Sequence, residues 1–377
     1  MIKPSIDQRA YRVVRLTNNL EVLLISDLNT TKCSASMSVG VGTFQDDDDT
    51  NGLAHFFEHM LFLGSKSFPS PSLFDSHLSE YFGSTNAFTE EEKTTFYFEV
   101  GWKGFDTSLN MFSRMFAEPL LDFKLMNKEI EAVNSENDKN LGNDNWREHQ
   151  LIRSLANPKH PFSKFGTGNK YTLGSVEGQI LHQKIKNFYK KFYVPENMKL
   201  VVQGNVEMNN LQDLVTKIFS DIRLDTLQKE TTMKYGQIYT KESAFTRENL
   251  GKILWFKKIA STINLDFIFV MDEIFSKYKT KPYDYITYML KFSAENSFVN
   301  YLKTKKWITK LDAGIISTLT TFSQFAVSIS LTEEGFKNVD AIIDLVFDYL
   351  NMIRSKGVNA DVYNEISTIY ANNFKYI

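Results

Sequence analysis

The segments Leu20 to Leu28 and Lys32 to Gly42 read as strands, the second alternating small polar with apolar residues. Asn29-Thr30-Thr31 supplies a turn between them, so the chain is expected to open with a hairpin of these two strands. Thr50 and Asn51 then offer helix N-caps, Leu53 to Leu63 carries apolar residues suited to a helix, and Gly64 supplies its stop. Leu73 to Tyr81 reads as a helix and Lys93 to Val100 as a β-branched and aromatic strand. A helical stretch from Phe105 to Ala117 is halted by Pro119, and a longer one runs from Met126 to Asn140. Lys199 to Val206 is a further strand and Leu211 to Ile222 a helix. From Leu224 to Thr246 the chain is polar and aperiodic, which predicts a linker. Beyond it, Leu250 to Lys257 reads as a strand, Phe325 to Leu331 as a period-two strand, and Glu334 to Arg354 as one helix.

This punctuation divides the 377 residues into two domains, 1–230 and 231–377, each long enough to bury a core. A faint repeat relates them. Strand Phe96 to Val100, Gly104-Phe105 and the helical positions Phe112 and Phe116 recur as Val327 to Leu331, Gly335-Phe336, Ile343 and Phe347, at a constant offset of 231 residues. Antiparallel strands with helices on one side make the expected class α+β, not doubly wound α/β.

Composition narrows the function. With 42% apolar and 23% charged residues, 31 Phe and 17 Tyr, the chain has the make-up of a globular protein. Its net charge of −2 gives no electrostatic case for nucleic acid or an anionic membrane as partner. The apolar runs Leu61 to Leu63 and Phe267 to Met271 break off far short of a membrane span. Met1 to Asp7 has charge and proline where a secretory signal needs an apolar stretch, so a cytoplasmic location is expected. One cysteine, Cys33, excludes an intrachain disulfide and reads as a plain thiol. The acidic run Asp46 to Asp49 reads as a solvated loop.

The sharpest chemistry lies in His55-Phe56-Phe57-Glu58-His59. On a helix, positions four apart lie about 400° round and about 6 Å up the axis, so His55 and His59 project together and can grip one ion. Glu58 lies about 60° off the His55 direction, close enough to reach a water at the metal without ligating it. Only six His occur in the chain, so this H-x-x-E-H pattern, the inverzincin signature, is far from a chance spacing. The chemistry is that of zinc-assisted amide hydrolysis with Glu58 as general base. A third ligand must come from an acid, because His77, His149, His160 and His182 lack partners at ligand spacing. Glu129, Glu131, Glu136 and Asp138 on the predicted Met126 to Asn140 helix are candidates. Glu129 and Glu136 share a stripe but lie about 10.5 Å apart along the axis, so one can ligate and the other support.

Several stretches together resemble the pitrilysin/insulinase family of zinc metallopeptidases, specifically the N-terminal half of its four-domain members. They are Tyr11-Arg12 with Leu20 to Asp27, Gly52 to Gly64, Gly83 to Thr89, and Asn157 to Tyr171. The resemblance implies two related domains, each a mostly antiparallel sheet covered by helices, with the second incomplete at Ile377. It selects Glu136 as third ligand to one zinc ion and Glu129 as the supporting carboxylate. It also implies that Gly83 to Thr89 receives a peptide as an added strand, with Asn86 and Ala87 contacting its backbone. Phe62 and Trp146 match aromatic positions beside the pocket for the residue after the scissile bond, where His149 replaces a usual aromatic. A Gly-Pro-Gly turn of the family is here Ala294-Glu295-Asn296. The implied activity is zinc endopeptidase action on oligopeptides. The alternative is a truncated or non-catalytic peptide-binding subunit that needs a separate C-terminal half, or a second copy, as partner.

Overall fold

The computed structural model describes residues 2–222 and 240–376. The expected boundary at 230/231 and most of the expected linker fall outside the described residues. The chain divides into one compact unit of Gln8–Lys252 and another of Ile253–Ile377 together with Ile2–Asp7.

Among the described residues the first unit has six strands: β1 (Ala10–Arg15), β2 (Glu21–Ser26), β3 (Lys32–Val39), β4 (Ser84–Thr89), β5 (Thr94–Gly101) and β6 (Met198–Gly204). Their order is β1-β2-β6-β3-β5-β4, and every pairing is antiparallel except β2 with β6. Alternation puts Val22, Leu24, Ala35, Met37, Phe96, Phe98, Leu200 and Val202 on one buried face. Helices α1 (Leu53–Leu61), α2 (Leu73–Glu80), α3 (Phe105–Ala117), α4 (Met126–Leu141), α5 (Asp144–Ser154), α6 (Gly178–Phe192) and α7 (Met208–Phe219) complete the unit. Phe105, Leu109, Phe112 and Phe116 of α3 lie in the same core as the sheet residues, with Phe98 and Phe112 edge to face at 5.2 Å.

The opening hairpin is not formed by the expected strands. β2 and β3 never pair, because β6 lies between them, with Leu200 opposite Val22 on one side and Met37 on the other. The hairpin partner of β2 is β1, which carries no clean alternation; its residues are exposed or half-buried throughout.

The second unit has three antiparallel strands, β7 (Ile263–Met271), β8 (Ile308–Thr318) and β9 (Ser323–Leu331), in the order β7-β9-β8. Its helices are α8 (Pro282–Lys291), α9 (Phe298–Thr304), α10 (Glu333–Lys337), α11 (Val339–Lys356) and α12 (Ala360–Tyr376). Val327, Ile329, Ile342 and Val346 lie at its centre, and Phe298 stacks on Tyr349 at 4.5 Å.

Two expectations fail here. Leu250 to Lys257 is not assigned as a strand: Ile253 and Trp255 are exposed, and among the described residues no strand pairs with the segment. The single helix from Glu334 to Arg354 is broken at Asn338, whose side-chain amide donates to the Glu334 carbonyl. Gly335 sits in the short helix before the break because a Cβ there would lie 1.9 Å from the Trp307 carbonyl oxygen.

Candidate metal centre

Helix α1 is amphipathic with a chemical face. Phe56, Phe57, Met60 and Leu61 are fully buried, which turns His55, Glu58 and His59 together toward a cleft. Neither Thr50 nor Asn51 caps it. Asp46 does so from six residues before Gly52, its carboxylate accepting from the Gly52 and Ala54 amides at 2.7 and 2.8 Å. The acidic run is therefore not a uniformly solvated loop. Asp46 is buried, Asp47 and Asp49 pair with Lys184, and Asp48 pairs with Lys164. Burial pushes the Asp46 carboxyl up to about 7 against the pull of its two amide donors. Gly52 has φ +90°, and a Cβ on it would lie 2.2 Å from Gly168 Cα, so this helix start touches a distant loop backbone to backbone. That contact places the Thr167 carbonyl 2.7 Å from His55 Nδ1.

A carbonyl only accepts, so Nδ1 of His55 carries a proton and donates it, which leaves Nε2 as the atom facing Glu136 Oε2 at 3.4 Å. Glu129 Oε2, 3.4 Å from His59 Nδ1, does the same for the second ring, whose Nε2 faces Glu136 Oε1 at 3.5 Å. Two ring nitrogens and the two Glu136 oxygens thus face one another across the cleft, and a metal ion there would take the place of the protons they share. A tetrahedral site with zinc bonds near 2.1 Å sets its ligand atoms about 3.4 Å apart, and one ligand atom from each of the three residues lies within 4.8 Å of the others here. His55, His59 and Glu136 fit such an ion, and they are the only three-residue ligand cluster among the described residues.

The electrostatics agree. Burial pulls His59 down, but Glu129 and Glu136 outweigh it and lift its pKa to about 9. Burial likewise opposes His55, yet Glu136 and Glu58 raise it. Hydrogen bonds from both rings hold Glu136 well below the usual carboxylate range. Burial pushes Glu58 up, countered by the Thr89 hydroxyl, which donates to Glu58 Oε2 at 2.6 Å. This field stabilises positive charge between the rings. Of the other acids considered on α4, Asp138 accepts from Asn134 and Glu131 is exposed.

The cleft holds about 780 Å³ and is lined by Phe62, Asn86, Ala87, Trp146 and Thr167 among others. β4 forms one rim as the edge of the sheet, with the Asn86 Oδ1 accepting from the Ala87 amide. Phe62 lines the cleft and also packs on Phe96 at 6.0 Å; Trp146 is half exposed and meets His149 edge to face. The remaining histidines are held elsewhere: His77 and His182 contact backbone carbonyls, and His160 is buried with its Nδ1 accepting from the Phe162 amide. His149 faces Glu91 Oε1 at 3.6 Å, and the buried Arg153 donates to the same oxygen at 3.1 Å. This polar wall, Asp46, Thr89 and Thr167 had no signal in spacing, since each acts across a fold contact.

Residues 21–159 match the sequence model of the family described as Insulinase (Peptidase family M16), and residues 179–370 match Peptidase M16 inactive domain. The chain is similar to the insulin-degrading enzyme of Bos taurus, 35% identical over all of this chain and 36% of the bovine protein. It is similar also to insulin-degrading enzyme-like 1, peroxisomal, of Arabidopsis thaliana, 36% identical over all of this chain and 38% of that one. Among solved structures, pitrilysin superposes with a TM-score of 0.92 at 29% identity, over the whole of this chain and 39% of pitrilysin. The chain therefore spans less than two-fifths of the length of these relatives.

Proposed function

This chain belongs to the insulinase family of metallopeptidases, and on that premise we propose that its cleft hydrolyses peptide bonds of oligopeptides, with one zinc ion held by His55, His59 and Glu136. The observation that carries the reading is the convergence of the His55 and His59 Nε2 atoms on one carboxylate, with a second carboxylate, Glu58, beside them. Zinc bound there supplies Lewis-acid chemistry, polarising a peptide carbonyl and acidifying water.

The protein's own residues do the rest. Thr167 and Glu129 fix the two rings, so both Nε2 atoms stay aimed at one point. Glu58, buried and raised in pKa, takes the proton from attacking water and returns it to the departing amine. The β4 edge receives the peptide as an added strand at Asn86 and Ala87, which recognises backbone shape more than sequence. Phe62 and Trp146 hold the side chain that follows the scissile bond. The cell compartment we propose is the cytoplasm. No helix among the described residues is long and apolar enough to cross a membrane.

A second reading keeps peptide binding in this cleft and makes turnover depend on a further polypeptide or a second copy. It is favoured by the alignment of this chain with only 36% of the bovine relative. One assay addresses both. Glu58→Gln is expected to keep one zinc per chain and to lower hydrolysis of a quenched fluorescent peptide by about 10²-fold or more. Undiminished hydrolysis would sink the first reading. Peptide binding without turnover in the unaltered, zinc-loaded chain would select the second.

A further inference from the structure

Glu58 has one hydrogen-bonded side chain among the described residues, and it comes from the rim strand of the cleft. Thr89, the last residue of β4, donates its hydroxyl to Glu58 Oε2 at 2.6 Å, the length of a charge-assisted bond. The alternatives for that proton are poor. The opposite residue in the ladder, Thr94, lies 3.4 Å away, is fully buried, and spends its own hydroxyl on the Val41 carbonyl at 2.8 Å. Thr85, four residues earlier on the same strand, shows what an ordinary strand threonine does: it bonds a neighbouring backbone carbonyl, that of Tyr97. Thr89 instead reaches off the sheet to a carboxylate on α1. A glutamate side chain on a helix has free torsions, and Glu58 shares its surroundings with the like charge of Glu136. A single fixed donor decides which oxygen is occupied and which remains to accept.

We propose that Thr89 is a positioning residue for Glu58, tying the orientation of the proposed base to the strand that would receive substrate. The inference rests on the peptidase reading of this cleft and adds to it a residue that touches neither metal nor scissile bond. Seating a peptide along β4 then tightens the same strand that holds Oε2, leaving Oε1 to take the proton from water.

The test uses the full chain loaded with zinc and two variants. Thr89→Val keeps shape and branching but removes the donor; Thr89→Ser keeps the donor. Zinc content is measured first and is expected to stay at one per chain in all three. Affinity for a peptide hydroxamate, whose hydroxyl must be accepted by Glu58, is then measured by calorimetry, alongside kcat and KM for a fluorescent peptide. Thr89→Val is expected to weaken hydroxamate binding and lower kcat by about tenfold or more, with KM within about twofold, and Thr89→Ser to restore both. Equal behaviour of Thr89→Val and the unaltered chain overturns the proposal, as does a serine variant as impaired as the valine one. Failure of the unaltered chain to bind the hydroxamate would instead remove the peptidase reading, and this proposal with it.

Discussion

The two units contain the same short element in different company. In the first, β5 runs through Gly104-Phe105 into α3; in the second, β9 leads through Gly335-Phe336 toward α11. Both glycines sit where a Cβ would collide, with the Tyr81 ring at 2.6 Å in one case and the Trp307 carbonyl at 1.9 Å in the other. Yet all six histidines lie in the first unit, and the ligand cluster with them. The second unit carries the element without a histidine and, among the described residues, without a ligand cluster. A fold of this kind hosts chemistry only where ligating side chains have been placed on it; the match to a model described as inactive, over residues 179–370, takes in all three strands of the second unit together with β6 and α7 of the first.

Three perturbations would break or sharpen that contrast. The largest effect is expected from His59→Ala, which removes a ligand in the first unit: zinc content should fall from one per chain to none, and any hydrolysis by about 10³-fold or more. Zinc retained at full stoichiometry would mean that the second unit, or some other site, holds the ion. Next in size is Gly335→Ala, which forces a methyl against the Trp307 backbone. It should destabilise the second unit by about 3 kcal/mol or more while zinc binding in the first persists. A scan in which both units lose stability equally, and zinc with them, would show that they do not unfold separately.

The smallest effect concerns the helix cap. Asp46 is an acid whose folded pKa is raised to about 7 from an ordinary 3.8. The folded state keeps this proton while the unfolded state releases it, so the contribution to stability is full below pH 3.8 and is lost as pH rises through 7. The slope is at most about 1.4 kcal/mol per pH unit in that window. The difference between the unaltered chain and Asp46→Asn, followed by denaturant melts at several pH values, should carry this slope; a flat difference would refute the assignment.

Much of the centre was legible in one helix. The spacing of His55, Glu58 and His59 needs no tertiary knowledge, because an α-helix fixes their relative directions. The acids of α4 were visible as a stripe, but choosing Glu136 over Glu129 required a resemblance, since nothing local says which end of α4 faces α1. Strand pairing was the weakest reading. β2 and β3 were both found, yet their common neighbour β6 arrives about 160 residues later, and alternation reports a buried face without naming the partner beside it. Asp46 was misread for a related reason: four adjacent acids look alike until packing buries one of them under a helix end.

The meeting of Gly52 and Gly168 limits what can be moved. The proton on His55 is set by a carbonyl 112 residues away in sequence, brought close by two backbones with no side chain between them. The transplantable object is therefore not the five-residue signature. A designer who grafts His55 to His59 onto another helix copies the ligands and leaves behind the part that tells one of them where to point.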